Sequence, residues 1–343
     1  MMKQIIKLFS FILIVSLVIT SSCVSAFALV IHEGDFSFEV NKSKNEAKIV
    51  GYSGNGGKVV LPDSFLDYPV TVIDRNAFSG NKAITEIVLS NTNTTIEEYA
   101  FMNCTSLEAV YIPENTVNFG DRAFANCTSL KSVTMLSNIV SMPTNMFSGC
   151  SALSDLTLSE TIVDFGYGCF NGCSSLTDLD FLSNAVMLES YSFCGTGAKM
   201  ITLSDSLLAI PNNAFTNCSA LAYVKIPESV VLIQPNAFDW DKVTIHCYPD
   251  SYSHRFAQEN NYSYEFLGSY LLGDSDGSGV LDISDVTLIQ KVLAGIKTDN
   301  NGTITRAGDV NGDKKLSIRD ATLIQMYLAH ISVPFNIGGE IAE

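Results

Sequence analysis

A phenylalanine recurs along the middle of this chain at a nearly constant step, and this repeat limits the possible folds more than any other feature. The step is 23 residues throughout, apart from one step of 22. A fixed period of this length predicts a solenoid, because each unit buries its apolar side only against its neighbours. The recurring residues are Phe78, Phe101, Phe124, Phe147, Phe170, Phe193, Phe215 and Phe238.

Each unit has room for short strands but for no long helix. In CTSLEAVYIPENTVNFGDRAF, the residues Leu107, Val110 and Ile112 have the spacing of a short parallel strand. Val117 and Phe119 are then expected to form a second inward-pointing pair. The middle of the chain is therefore predicted to be mostly β.

Five of the nine cysteines follow the same repeat. Cys104, Cys127, Cys150 and Cys173 are 23 residues apart, and Cys218 occupies the same place in a later unit. This spacing indicates one interior position of the solenoid, where Cys acts as a small buried hydrophobe with a free thiol. Zinc binding is the alternative, but the chain has no C-x-x-C pair and its four histidines lie outside this series.

The repeated pattern AF…C.SL..I.IP resembles the leucine-rich repeats of bacterial surface-antigen type, over about residues 58–245. The resemblance implies a leucine-rich repeat solenoid, mostly β, with short parallel strands. Residues 29–57 look like the N-terminal β cap of that family, and residues 246–268 look like its closing helix and strand. Caps at both ends are expected, because an exposed apolar end of the stack would aggregate.

In a solenoid of this kind the outward strand positions form an exposed face, which is the usual binding surface. This face is rich in Thr, has two Tyr and carries no dominant charge. Three interpretations stay open: an ordinary solvated β-face, a binding face for protein, and a binding face for polysaccharide. The predicted ligand face consists of Tyr111, Thr134, Thr157, Asp180, Thr202, Tyr223 and Lys225.

A segment that combines an acidic loop with the beginning of a predicted helix occurs twice. The first copy is GDSDGSGVLDISDVTLIQ, and the second, 35 residues later, is GDVNGDKKLSIRDATLIQ. In each twelve-residue loop, oxygen side chains fall at positions 1, 3, 5, 9 and 12, and the position 7 carbonyl is added to them. Calcium needs about six to eight oxygens in one small volume, so two calcium ions are predicted. An acidic turn without metal is the alternative. The ligands are Asp274, Asp276, Ser278, Val280, Asp282 and Asp285 in the first loop, and Asp309, Asn311, Asp313, Lys315, Ser317 and Asp320 in the second.

Each loop runs into a helix whose apolar residues recur at i, i+3 and i+4, so the two helices can pack together. No entering helix is expected before either loop, which makes each unit half of an EF-hand. Position 6 favours Gly because the turn there needs a positive φ. Gly279 fits, whereas Lys314 is expected to cost about 1 kcal/mol and to weaken the second site.

The two loop-helix halves, the Asp at position 12 and the GDVNGD…LIQ phrasing resemble the type I dockerin, over about residues 271–332. The resemblance implies a small all-α module, assigned to residues 269–343, that binds calcium and attaches exported proteins of anaerobic bacteria to cohesin domains of a cellulosome scaffold. It also implies near two-fold symmetry, so that either helix can face the partner. Cohesin contacts would come from Ile283, Ser284, Gln290, Lys291, Ile318, Arg319, Gln325 and Met326.

The first 28 residues have the three parts of a secretory signal: two lysines, an apolar run from Leu8 to Ile19, and small residues leading to Ala28. The apolar run is too short to span a bilayer as a helix. A lipid anchor on Cys23 is the alternative, because small residues precede it. The formal net charge of −16 argues against nucleic acid and anionic membranes as partners.

Together these features predict an exported, non-catalytic, calcium-dependent assembly component. It would be secreted and cellulosome-associated, and it would present its repeat face to a protein or a plant-wall ligand. Two alternatives stay open. One is a cell-surface lipoprotein adhesin anchored at Cys23; the other is a cryptic carbohydrate-active enzyme, because the separation of paired carboxylates is a property of the fold.

Overall fold

The computed structural model describes residues 29–248, 251–267, 270–276, 280–297, 299, 303–338 and 340–341. The predicted signal at residues 1–28, with Cys23, lies outside this part of the chain, as do Ser278 and Gly279. The described residues form a β-solenoid followed by short helices, with one buried core in each part. No described helix is both long and apolar enough to cross a bilayer.

The solenoid is built from strands of two to seven residues, as the spacing of its apolar residues predicts. A helix, α1 (Tyr252–Asn260), lies between the last two strands. In chain order the strands are β1 (Val30–Glu33), β2 (Phe36–Asn41), β3 (Glu46–Tyr52), β4 (Gly57–Val60), β5 (Ser64–Phe65), β6 (Tyr68–Ile73), β7 (Ile84–Val88), β8 (Thr95–Ile96), β9 (Ala109–Ile112), β10 (Asn118–Phe119), β11 (Ser132–Met135), β12 (Ser141–Met142), β13 (Asp155–Leu158), β14 (Asp164–Phe165), β15 (Met187–Leu188), β16 (Met200–Thr202), β17 (Ala209–Ile210), β18 (Tyr223–Lys225), β19 (Leu232–Ile233), β20 (Thr244–Cys247) and β21 (Tyr264–Phe266).

Strands of successive units pair in parallel, so that residues one period apart stand side by side. The first face consists of the sheet β13-β11-β9-β7-β4 and, further along the chain, the sheet β16-β18-β20-β21. Within it Tyr111 pairs with Thr134, and Thr134 with Thr157. The second face consists of β3-β6-β8-β10, then β12-β14-β15, then β17-β19.

The recurring phenylalanines form one continuous column inside the solenoid. Each ring stacks on the ring of the next unit, with centroids 4.9 Å apart for Phe78 and Phe101 and 5.7 Å apart for Phe147 and Phe170. Backbone hydrogen bonds also join neighbouring units. For example, the N–H of Phe101 donates to the carbonyl of Ala123 in the next unit. The 23-residue step therefore sets both the packing and the hydrogen bonding.

The cysteine series lies in the same core. Every cysteine that the structure describes is buried and free, as predicted for the series. Cys104, Cys127, Cys150 and Cys173 each donate their S–H to the Phe carbonyl 26 residues earlier, at 3.2 Å. Burial raises the pKa of the Cys173 thiol well above its usual range. This environment disfavours the thiolate that zinc binding requires.

The second face differs from the prediction at one position of the repeat. Val117 is predicted to point inward, but its side chain is 44% exposed. Thr116 takes the inward place, where it is buried and its hydroxyl donates to the carbonyl of Asn93 at 2.7 Å. Thr116 and Val117 lie just before β10, so the alternation of a strand does not apply to them. Phe119 is partly buried against the core.

The unit that follows β14 has no strand on the first face. Residues Asp180–Asn184 form a 3-10 helix there, so the prediction that Asp180 lies on a strand is wrong. The carboxylate of Asp178 accepts the backbone N–H of Asp180 at 2.9 Å, and such local bonds compete with a strand ladder. The first face is therefore interrupted between β13 and β16.

Both ends of the solenoid are covered. At the N-terminal end, β1, β2 and β3 pair in an antiparallel arrangement, and Phe38 stacks on Phe65 with centroids 4.1 Å apart. At the other end, β21 pairs with β20, and Trp240 packs between Phe238 and Phe256. The Trp240 indole N–H donates to a backbone carbonyl at 2.6 Å, so its polar atom is satisfied.

The remaining elements surround the two acidic loops. They are β22 (Tyr270–Leu271), α2 (Ile283–Leu293), α3 (Thr303–Gly308), α4 (Ile318–Leu328) and β23 (Glu340–Ile341). The helices α2 and α4 pack together, and Val286, Ile289, Ala321 and Ile324 are buried in their shared core. The apolar faces predicted from the sequence are therefore the faces through which α2 and α4 pack together.

The short helix α3 enters the second loop, so the prediction that neither loop has an entering helix is wrong for this one. The carboxylate of Asp299 caps α3 by accepting the backbone N–H groups of Ile304 and Thr305 and the hydroxyl of Thr305. Its six residues are too few to produce a helical pattern in the sequence. The helix ends at Gly308, directly before Asp309.

Candidate metal centre

Three carboxylates of the first loop converge near the start of α2. Asp274 and Asp285 are buried and Asp276 is exposed, and one oxygen of each lies within 4.8 Å of the other two. Within the described ranges no other group of three or more His, Cys, Asp or Glu side chains converges in this way. Carboxylate oxygens are the ligands that calcium prefers, so this donor set fits the predicted ion.

Asp285 connects the loop to the helix. Its two oxygens accept the backbone N–H groups of Asp276, at 3.1 Å, and of Asp282, at 2.9 Å. Burial, together with the nearby charges of Asp276 and Asp274, raises the pKa of Asp285 to about 6. A bound cation would offset this repulsion and hold all three groups in their charged form.

Two of the other predicted ligands of the first loop, Asp282 and Val280, lie within the described residues. Asp282 caps α2, because its carboxylate accepts the backbone N–H of Ser284 at 2.6 Å. With Asp285 it forms a capping box, which links the acidic residues to the beginning of the helix. Val280 is exposed in the same loop, and Ser278 lies outside the described residues.

In the second loop, hydrogen bonds order the side chains. Asp309 accepts the backbone N–H groups of the three successive residues from Gly312 to Lys314. Asn311 donates its amide N–H to Asp320 at 2.7 Å, and the buried Asp320 also accepts the backbone N–H of Asn311. These bonds order the second loop, but its carboxylates, all within the described residues, do not converge within 4.8 Å of one another as the three of the first loop do.

The beginning of α4 is capped in the same way as the beginning of α2. Ser317 and Asp320 form a capping box at α4, in which Asp320 accepts the N–H and the hydroxyl of Ser317 at 3.0 and 2.8 Å. Asp313 accepts the N–H of Lys315 at 2.9 Å. The predicted ligands of this loop include three carboxylates where the first loop has four, since Asn311 and Ser317 replace two acids and Asp313 replaces Ser278.

At position 6 of the second loop, the backbone has the positive φ that the turn requires. Lys314 has φ of 64°, in the left-handed region that costs a residue with a Cβ roughly 1–2 kcal/mol. Its backbone N–H donates to Asp309 at 2.6 Å, which helps to hold this conformation. The strain expected at Lys314 is therefore present.

The two loop-helix units are equivalent beyond their acidic residues. The helices α2 and α4 each have eleven residues. Each is followed by a left-handed residue, Gly295 with φ of 70° and His330 with φ of 58°. Near the beginning of each helix a threonine hydroxyl, of Thr287 or Thr322, donates to the carbonyl four residues earlier. These matching details show that the two units share the same local structure.

The predicted cohesin-contacting residues lie on the outer sides of α2 and α4. Ile283 is 61% exposed and Ile318 is 63% exposed, which is unusual for two large apolar side chains at the beginning of a helix. Met326 is half-buried. The remaining predicted positions, which are Ser284, Gln290, Lys291, Arg319 and Gln325, are exposed.

On the first face of the solenoid, charged side chains pair with one another across the strands. Lys58 pairs with Glu86 at 2.7 Å, and Lys131 pairs with Glu108 at 2.9 Å. On the same face Tyr111 is an exposed aromatic ring, and it pairs in register with Val88 and Thr134. The predicted members Tyr111, Thr134 and Thr157 share one sheet, whereas Thr202, Tyr223 and Lys225 lie in the later sheet and Asp180 lies in neither.

In the later sheet the structure adds two neighbours that sequence reasoning missed. The rings of Tyr223 and His246 stack with centroids 4.6 Å apart, and the Tyr223 hydroxyl donates to the sulfur of Met200 at 3.1 Å. His246 also contacts Glu265 at 3.2 Å. The 23-residue period does not predict this register, because β18 and β20 pair with a step of 21 residues, which places His246 opposite Lys225 and diagonal to Tyr223.

Comparison with family models matches residues 71–197 and 152–261 to the BspA type leucine rich repeat region, in six copies, and residues 272–329 to the dockerin type I domain. Both are families of binding modules that are not catalytic. No curated protein matches the chain.

Among solved structures, the chain is similar to a leucine rich cell surface protein of Faecalibacterium prausnitzii A2-165, with 19% identity, a TM-score of 0.36, and 72% of this chain and 97% of that chain covered. It is similar to the leucine rich repeat protein of T. pallidum, with 20% identity, a TM-score of 0.35 and coverage of 68% and 97%. A leucine-rich repeat protein of Eubacterium ventriosum has 23% identity, a TM-score of 0.44 and coverage of 64% and 51%.

Proposed function

Because the chain belongs to the BspA-type leucine-rich repeat family and has a type I dockerin domain at its C-terminal end, we propose that it is an exported binding protein attached to a cohesin of a cellulosome scaffold. Dockerin domains bind cohesins and generally bind calcium. On this proposal the dockerin fixes the chain to the scaffold, and the solenoid presents a surface to a second ligand.

The carboxylate cluster of the first loop supports this role most directly. Calcium would supply the positive charge that keeps Asp274, Asp276 and Asp285 together. Because Asp285 also accepts the N–H of Asp282 at the beginning of α2, the ligands of the ion hold the end of that helix. The exposed Ile283 is the first residue of α2, so calcium would position an apolar contact residue for cohesin.

Cohesin binding tests this proposal. The chain is titrated with a scaffold cohesin in an isothermal titration calorimeter, in calcium and then in chelator. We expect binding in calcium alone, and we expect the double variant Asp274→Ala with Asp309→Ala to lose it because both loops lose their first ligand. Asp205→Ala with Asp241→Ala removes two exposed carboxylates of the solenoid and is the matched control. Binding that survives chelator and the loop variant would contradict the proposal.

We propose further that the first face binds a protein or a plant-wall ligand through Tyr111 and, in the later sheet, Tyr223. Internal pairing of Lys58 with Glu86 and of Lys131 with Glu108 supports recognition by aromatic and hydroxyl groups rather than by charge. Large aromatic side chains often dominate the energy of such contacts.

Retention on immobilised chain tests this face, with secreted proteins of the source organism and insoluble plant-wall polysaccharide as the two probes. Tyr111→Ala with Tyr223→Ala should reduce retention of one probe. Tyr167→Ala removes an exposed tyrosine that lies outside the face and should leave retention unchanged. Equal retention by all three chains would mean that the face is an ordinary solvated sheet.

Both matched families indicate an extracellular or cell-surface protein. We propose cleavage of the signal after Ala28, a β cap at residues 29–57, repeats at 58–245, a second cap at 246–268 and the dockerin from residue 269. Mass spectrometry of the secreted chain would test the cleavage and would reveal any lipid on Cys23.

A further inference from the structure

The interruption of the first face leaves one edge of β13 without a neighbouring strand. On its other side β13 pairs with β11, but the unit that follows has the 3-10 helix Asp180–Asn184 in place of a strand. This 3-10 helix packs against β16 more than against β13. We call the side of β13 that faces away from β11 the open edge, and it is formed by Leu156 and Leu158.

The backbone groups of the open edge point into the gap. In a parallel pair, alternate residues of a strand direct their N–H and C=O groups towards the same neighbour. Asp155 and Ser159 both donate to the unit of β11, to the carbonyls of Lys131 and Met135, each at 3.0 Å. The N–H and C=O groups of Leu156 and Leu158 therefore point the other way, towards the unit that has no strand.

A later unit shows the bond that is missing here. Leu203 occupies the same place in the repeat as Leu158, and its N–H donates to the carbonyl of Lys225 in the next unit at 3.1 Å. The corresponding acceptor for Leu158 is the carbonyl of Asp180, which instead accepts the hydroxyl of Ser183 at 2.7 Å. Among the described residues, no backbone hydrogen bond joins β13 to the unit that follows it. Such unpaired groups are a template for a further strand.

The same gap uncovers two side chains that the repeat normally buries. Leu156 and Leu158 are half-buried, whereas Val133 and Met135, at the same places on β11, are 1% and 0% exposed. A strand placed beside β13 would cover both leucines with its own alternate side chains. The open edge therefore offers main-chain hydrogen bonds together with apolar contacts, which is the combination used in strand addition.

Charge narrows the choice of partner. Asp155 lies at the beginning of β13, and Asp178 and Asp180 lie across the gap, all three exposed. The nearby Lys131 is already paired with Glu108. These acids favour a basic segment and disfavour a second copy of this chain, whose open edge has the same charges. A polysaccharide has no row of alternating N–H and C=O groups at strand spacing, so it cannot complete the ladder.

We propose that the open edge binds an extended, basic peptide segment of a partner protein by strand addition. The segment takes the place of the missing strand, parallel to β13, and exchanges backbone hydrogen bonds with Leu156 and Leu158. This recognition through the main chain goes beyond the side-chain contacts proposed above, and it does not depend on Tyr111 or Tyr223.

A synthetic peptide tests the open edge without any change to the protein. The peptide KSVTMLS copies residues 131–137, whose strand pairs with β13 on its other side. In β11 the N–H groups of Ser132 and Leu136 donate to the preceding unit, so in the bound peptide they would face the open edge. N-methylation at these two residues should weaken binding more than about tenfold, whereas N-methylation at Val133 and Met135 removes N–H groups of the opposite edge and is the matched control.

Fluorescence anisotropy of the labelled peptide, titrated with the full mature chain in calcium, measures this binding. We expect a dissociation constant below about 1 mM, and weaker binding of a peptide with glutamate in place of its lysine. No binding at about 1 mM, or equal binding of the two methylated peptides, would overturn the proposal. Equal binding of the glutamate peptide would overturn the assignment of a basic partner. A dimer of the chain alone that the peptide separates, detected by light scattering, would show that a second copy occupies the edge, and the proposal would be wrong.

A variant of the chain provides a second test. Asp178→Thr with Asp180→Thr removes the carboxylate that holds the N–H of Asp180, and it introduces residues that favour strands. The chain's own segment can then fill the gap, and peptide binding should fall more than about tenfold. Asp205→Thr with Asp241→Thr changes two exposed carboxylates elsewhere on the solenoid and is the control. Equal binding by both variants would contradict the proposed position of the peptide.

Discussion

Lys314 shows how a single residue can make two similar calcium loops unequal. Its φ of 64° is a conformation that glycine adopts freely and that a side chain with a Cβ resists. The cost falls on the loop whose predicted ligands already include fewer carboxylates. The second loop is therefore expected to order at higher calcium concentration than the first.

Lys314→Gly should relieve this strain. We expect the free energy of unfolding of the calcium-loaded dockerin to rise by up to about 1 kcal/mol, and calcium affinity at the second loop to rise with it. Lys315→Gly is the control, because it removes the same charge at a residue whose φ is not positive. Calcium titration followed by circular dichroism measures both variants. If Lys315→Gly gains as much as Lys314→Gly, the effect comes from charge and not from backbone strain.

The buried thiols lead to a second prediction at this scale. Thiol counting on the denatured mature chain should find all eight described cysteines free. Cys150→Ala should lower the free energy of unfolding by about 1–2 kcal/mol, because it removes a buried sulfur and its contact with the Phe124 carbonyl. Consistent pairing of Cys104 with Cys127 in peptide mass spectrometry would contradict the free-thiol prediction.

At the scale of elements, the phenylalanine column is the feature that joins the units. Phe147 lies inside it, stacked on Phe124 and on Phe170. Phe147→Ala should lower the free energy of unfolding by about 3–5 kcal/mol, because it leaves a cavity between two rings. Tyr167→Ala, at an exposed ring, should change it by about 0.5 kcal/mol or less. Urea denaturation compares the two, and similar losses would mean that the column does not carry the stability of the solenoid.

The elements that could be predicted are those whose residues recur. The parallel strands follow from a period that repeats eight times, and the calcium loops follow from side-chain spacing within twelve residues. Three features depend on individual hydrogen bonds that cannot be predicted from a repeating sequence pattern. Val117 points outward because Thr116 finds the Asn93 carbonyl, Asp180 leaves the sheet because Asp178 binds its N–H, and α3 forms because Asp299 caps it.

In the candidate site, the sequence predicted which residues share a loop but not how close they come. The convergence of Asp274, Asp276 and Asp285 depends on the hydrogen bonds that Asp285 accepts from both ends of its loop. The neighbour of Tyr223 could not be predicted from the period, because β18 and β20 pair with a step of 21 residues and not of 23.

At the scale of the whole molecule, the two buried cores have different sources of stability. The solenoid is held by stacked apolar rungs, whereas the small core around Val286 and Ile324 lies between helices that start at acidic loops. A ligand stabilises only the part of a protein to which it binds. Calcium should therefore act on one core and leave the other unchanged.

Differential scanning calorimetry of the full chain should show two transitions. We expect chelator to lower the melting temperature of the smaller transition and to leave the larger one where it was. Circular dichroism of residues 269–343 should likewise show a gain of helix when calcium is added, because the grouped carboxylates repel one another until a cation neutralises them. A chelated fragment that is already as helical and as heat-stable would contradict the metal prediction.

The stacked column also determines how a chain of this kind can change in length. In the repeats, backbone hydrogen bonds between neighbouring units join residues about one period apart, as from Phe101 to Ala123, so removing one complete period brings together two surfaces that already fit. Removing half a period would place outward residues in the core. Gene segments encoding 23 residues are therefore the natural increments of this architecture, and each would move the two ends of the solenoid apart by about 4.8 Å.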